Sequence, residues 1–168
     1  MTINTKSWRN ADGLDVWFGP AEGRSGLGGE ELTYGDNRVL QFVLTLTDLT
    51  SSAVAIDEHF ELPKGAFIEE VDLVVLTGAT GTGATLNIGL LKNDDTTNVS
   101  DTALVSAVAQ TSLTAGAVLK IVSGGTGAGS SIGTTTPTDL ATVVTAKYAT
   151  AAFTAGKVLV RVQWNSVT

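Results

Sequence analysis

Along residues 38–47 apolar and polar side chains alternate. Leu40, Phe42, Leu44 and Leu46 share one face, and Gln41, Thr45 and Thr47 share the other, with Val43 among them. Side chains of an extended chain point to opposite faces in turn, so a period of two predicts a strand packed on one side. The pattern returns further along. Residues 66–77 set Val71, Leu73 and Val75 opposite Glu70, Asp72 and Val74, and residues 84–92 set Leu86, Ile88 and Leu90 opposite Thr85, Asn87 and Gly89. The Gly78-Ala-Thr-Gly-Thr-Gly83 connection between these two strands predicts a β-hairpin. Residues 140–150 place Val144, Ala146 and Tyr148 on one face. Residues 157–164 place Val158, Val160, Val162 and Trp164 opposite Leu159, Arg161 and Gln163, which assigns Trp164 to the core. Shorter strands are expected at His59–Leu62, stopped by Pro63-Lys-Gly65, and at Ala117–Ser123.

One stretch has helical spacing. Leu104, Val105 and Val108 lie at i, i+1 and i+4 behind Asp101, an N-cap residue type, so residues 101–112 predict a short helix crossing the sheets. Strands without βαβ alternation, and without a repeat of fixed period, lead to an all-β protein with two layers. The strand connections range from short turns to long crossings. The expected fold is a jelly-roll-like β-sandwich of seven to nine antiparallel strands with one short helix and an extended N-terminal arm.

The arm is expected at residues 1–35 and the sandwich at 36–168. Glycine is dense in the run Gly19 to Glu31 and opposes both helix and strand, because it loses the most backbone freedom on ordering. Only Leu14-Asp-Val-Trp-Phe18 forms an apolar island there. Trp8, Leu14, Trp17, Phe18 and Leu27 are the expected partner-binding residues, since exposed apolar anchors on a loose segment need a cover.

Composition narrows the chemistry. The chain has no Cys and a single His, His59, which excludes thiolate chemistry and any site needing two imidazoles from one chain. Ten basic against seventeen acidic residues give a net charge of −7, the opposite of a nucleic-acid footprint, so no free nucleic acid is expected as a partner. No apolar run reaches the ~20 residues that span a bilayer, so no membrane is expected either, and the start lacks the apolar run of a signal peptide, which predicts production in a cytosol. Charged residues are 16% of the chain, below the usual ~25%, as if part of the surface were covered by something other than water.

The remaining motifs have plain explanations. Gly78–Gly83 and Gly124–Gly129 contain no Lys and open no helix, so neither is a phosphate loop. Asp57, His59 and Glu61 would share one strand face as a nitrogen and oxygen ligand set, but that is also how a soluble edge strand looks. Asn93-Asp-Asp95 is read as a solvated turn, and Glu69, Glu70 and Asp72 as acids on a strand's solvent face. No catalytic residue, metal site or cofactor is expected, and the chain is not expected to be an enzyme.

The order of blocks points further. Asp12-Gly-Leu-Asp-Val-Trp-Phe-Gly19 precedes a Gly/Glu-rich stretch; Gly35-Asp-Asn-Arg38 opens an alternating strand. Then come Leu62-Pro-Lys-Gly-Ala-Phe-Ile-Glu-Glu-Val-Asp-Leu-Val-Val75, Ala84-Thr-Leu-Asn-Ile-Gly-Leu-Leu91 and Phe153-Thr-Ala-Gly-Lys-Val-Leu-Val-Arg-Val162. Over most of its length the chain resembles the capsid auxiliary (cement or decoration) proteins of tailed bacteriophages with a β-sandwich body. The resemblance implies a homotrimer on the exterior of the virion, bound to the major capsid protein and assembled in the host cytoplasm. A virion fibre or receptor- and glycan-binding module is the alternative, with Trp8, Trp17 and Tyr34 as its stacking aromatics.

Overall fold

The inward positions of each alternating segment are filled by branched and aromatic side chains, and these meet in one core between two antiparallel sheets. The computed structural model describes residues 7–9, 15–17, 30–34, 37–56, 61–94 and 97–166, with the backbone alone for the first three segments and for residues 37 and 166. The strands in chain order are β1 (Ser7–Arg9), β2 (Asp15–Trp17), β3 (Glu30–Tyr34), β4 (Asn37–Thr45), β5 (Val54–Ala55), β6 (Glu61–Leu62), β7 (Ala66–Thr80), β8 (Thr85–Lys92), β9 (Asn98–Ala109), β10 (Val118–Val122), β11 (Thr142–Ala149) and β12 (Ala155–Ser166).

The first sheet runs in the order β10-β7-β12-β4-β3, and the second β5-β11-β8-β9. β5 and β6 follow one another along the same edge of β11, so the two sheets have nine strand positions between them. Among the described residues β1 and β2 pair only with each other, as a two-stranded ribbon.

The pairings β4 with β12, β5 and β6 with β11, β7 with β10, and β8 with β9 are those of a long hairpin folded in half. Rolling that ribbon up adds the contacts of β12 with β7 and of β11 with β8. This is the jelly-roll path, and it bears out the expected fold.

Two local expectations are corrected. Residues 101–112 are not a helix: Asn98–Ala109 is strand β9, followed by a single 3-10 turn at Gln110–Ser112. Its ladder with β8 is broken by register shifts, so that Leu86 faces Val108, Ile88 faces Val105 and Leu90 faces Ser100. The extra residues let Leu104, Val105 and Val108 all reach the core, which imitates helical spacing. Nor do β7 and β8 form a hairpin. Their turn carries the chain from one sheet to the other, and each strand finds its partners elsewhere. Gly81 in that turn has φ of +139°, and a Cβ there would stand 2.6 Å from the carbonyl oxygen of Ala152, so the crossing is packed too closely for a side chain.

Across the first sheet the inward rows are uniformly apolar. Leu119, Leu73, Val160 and Phe42 lie side by side, as do Ile121, Val71, Val162 and Leu40. Phe42, Leu73, Val160, Val71 and Val162 are wholly buried, each removing ~1.5–3 kcal/mol worth of side-chain surface from water. A bulge between Gln163 and Trp164 absorbs one residue of β7, so Glu69 and Glu70 are both only partly buried while Ile68 and Val71 are both in the core.

The two lateral sides of the sandwich differ. On one, the connection from β10 to β11 lies along the free edge of β9: Ser106 donates to the carbonyl of Gly127, and Gly129 and Ser131 donate to those of Leu104 and Ala103. The same strap then passes to β7, with Ile68 donating to Thr134 and Thr136 donating to Ala66, and Ile132 buried beneath it. On the other side, the second sheet ends in the two-residue strands β5 and β6.

Candidate interaction surface

The outward positions of the first sheet do not follow the simple apolar-in, polar-out scheme. The register sets Val118, Val74, Leu159 and Val43 in one row across β10, β7, β12 and β4. Val118 is 64% exposed, and Leu76, two residues beyond Val74 on the same face, is 50% exposed. Val74, Leu159 and Val43 are half-buried, so an apolar strip runs along the outside of the sheet and makes it a candidate contact surface.

The neighbouring outward row is Lys120, Asp72, Arg161 and Gln41, and the next is Val122, Glu70, Gln163 and Val39. The polar groups in these rows satisfy one another. The Lys120 ammonium lies 2.8 Å from Glu70, and this hydrogen bond holds the Lys120 pKa above its ordinary value. Gln163 donates to Glu70 at 2.6 Å and Arg161 donates through Nε to Gln41 at 2.9 Å. Asn165 donates to Glu69 at 2.7 Å. Glu69, Glu70 and Asp72, the acids read as a solvent face, are therefore partners in a cross-strand network. Lys120 and Arg161 offset part of the charge of these three acids.

A second feature lies where the sandwich is not strapped. An open groove of about 190 Å³ runs between β4, the 3-10 turn at Leu46–Asp48, β5 and β11. Leu44, Leu49, Val54, Ile56 and Ala146 give it an apolar lining, and the exposed Asp48 supplies its carboxylate. Val54 in this lining is 53% exposed.

Trp8 and Trp17 fall in β1 and β2, where the backbone register places Trp8 opposite Val16 and Trp17 opposite Ser7. Leu14, Phe18 and Leu27 lie outside the described residues, as do Asp57 and His59 of the ligand set considered above. The side chains of Trp8, Trp17 and Tyr34 lie outside them too. Asp94 accepts from the backbone and hydroxyl of Thr97 at 2.7 and 2.6 Å, the geometry of a turn. Trp164 is 3% exposed, as its phase requires. Among the described residues no group of three or more metal-binding side chains gathers, and no helix is long and apolar enough to cross a membrane.

Neither the outward apolar row nor the groove was singled out from sequence. The signal for the row was present in three places: Val43, Val74 and Leu159 each fall on the otherwise polar side of an alternating strand. Joining them requires the strand order.

No protein-family model matches the chain, and no curated protein sequence matches it. Among solved structures it is similar to a chain described as the capsid of Ralstonia phage GP4. The two are 23% identical, with 80% of this chain and 86% of that chain covered and a TM-score of 0.49. It is also similar to a chain of the capsid asymmetric unit of cyanophage Pam1, at 28% identity, with 86% and 91% covered and a TM-score of 0.44.

Proposed function

We propose that the chain is a non-enzymatic structural protein of a virion, which binds the outer surface of a phage capsid through the major capsid protein and stabilises the shell as a trimer. The observation that carries this reading is the outward row Val118, Val74, Leu159 and Val43, held on a five-stranded sheet beside polar and charged groups that bond to one another. Such a face lets an acidic body press against another surface while bringing little net charge to the contact. The block order of the sequence, which resembles capsid auxiliary proteins, supplies the class of partner.

The remaining features fit a mechanical role. A net charge of −7 favours the exterior, because packed nucleic acid in the lumen repels an acidic protein. Many identical contacts repeated over a closed shell add up by avidity, so each one can be modest. An arm over residues 1–35 that orders on the shell would extend the grip to a neighbouring subunit.

Co-sedimentation with purified shells lacking the chain tests this directly. The protein should pellet with the shells and elute alone at the mass of three copies by light scattering. Failure to pellet, with the mass of one copy, would overturn the reading.

A further inference from the structure

We propose that the groove between β4 and β5 is the seat for Trp8 of a neighbouring copy of the same chain. The proposal rests on the reading above only in needing copies side by side, and its test requires no shell.

The first ground is fit. The groove measures about 190 Å³, and an apolar cavity of ~150 Å³ already takes up a benzene ring, so the space suits one large aromatic side chain. Tryptophan is the side chain most enriched among residues that anchor an interface in such a pocket.

The second ground is charge. Trp8 is flanked in sequence by Lys6 and Arg9, and the apolar groove carries the exposed carboxylate of Asp48. An apolar anchor between two cations matches an apolar slot with an anion, and in a chain of net charge −7 such cations are scarce.

The third ground is connectivity. Among the described residues the β1–β2 ribbon forms a sheet of its own and shares no ladder with either sheet of the sandwich. Among the described residues none fills the groove, and Val54 in its lining is 53% exposed, which leaves room for a segment of another chain. β5 ends the strand order of its sheet, which leaves one edge to receive an extended segment. Each copy would then give one ribbon and accept one. Such a head-to-tail contact closes into a ring when the rotation fits.

The absence of Cys makes the test clean. One preparation carries Ser7→Cys, next to the anchor in β1, and the other Val54→Cys, and a short bismaleimide joins only the two introduced thiols. When the two are mixed, a covalent pair containing one chain of each kind should form, and unmodified protein in excess should suppress it. In the double variant the link should run between chains and yield covalent multimers. Asp48→Lys should weaken the mixed cross-link about tenfold, while the exposed Leu140→Lys, outside the groove, should leave it unchanged. Absence of the mixed product from variants that keep the parent circular dichroism spectrum would overturn the proposal. So would a double variant linked only within single chains.

Discussion

The guanidinium of Arg38 lies over the ring of Trp164, 5.1 Å from its centroid, and the two residues are register partners across β4 and β12. Trp164 is 3% exposed, at the end of the inward row that includes Val158, Val160 and Val162. Arg38 thus covers the last aromatic of the core with a cation whose charge remains near water. Trp164→Ala should cost ~3–5 kcal/mol, the usual loss for a buried Trp, and Arg38→Ala about 1 kcal/mol. Urea denaturation with unchanged slope would measure both.

The ion pair of Lys147 on β11 with Asp101 on β9 ties two strands that do not share a ladder. The hydrogen bond from Lys147 holds the Asp101 carboxyl below its ordinary value of 3.8, against the opposing effect of desolvation. Folding therefore gains stability from this group above 3.8 and loses it as the pH falls through the lowered value. Asp101→Asn should melt lower than the parent at neutral pH, and the gap should close on acidification. A gap that is constant with pH would contradict this account of the pair.

The strap from β10 to β11 closes the edge of β9 by backbone hydrogen bonds, and its anchor is Ile132, 3% exposed. Ile132→Ala should cost ~2–4 kcal/mol. Loosening the strap also frees the edge of a twelve-residue strand, so the variant should aggregate faster than Phe153→Ala, a core change remote from the strap. Light scattering at matched stability would compare them.

How much of this was legible in the sequence depends on what a period of two encodes. It tells which side chains face inward, and β4, β7, β8 and β12 were found from it with their core residues, Trp164 included. It says nothing of which strand lies alongside. For that reason β7 and β8, whose alternation is equally regular, were expected to pair although they stand in opposite sheets. β9 was hidden because bulges break its alternation and leave Leu104, Val105 and Val108 on a false helical stripe. The outward row was hidden for the same reason as the false hairpin. Val118 and Val74 stand more than forty positions apart in the chain and meet only once β10 is laid against β7.

On the outward face, Val118→Asp and Leu76→Asp remove apolar surface that water already touches, so each should change folding stability by no more than ~0.5 kcal/mol. Both should nonetheless weaken binding to shells by tenfold or more. Val160→Asp, one position away in phase and wholly buried, should instead abolish folding. Equal shell binding by Val118→Asp and the parent would remove this face from the contact.

The central claim, that the chain strengthens a shell, is tested most directly by heating DNA-filled particles that lack it, with and without the purified protein. The temperature at which DNA becomes accessible to a dye should rise on addition, saturate with protein concentration, and stay low with the Val118→Asp, Leu76→Asp double variant. A release temperature that does not move at saturating protein would contradict it.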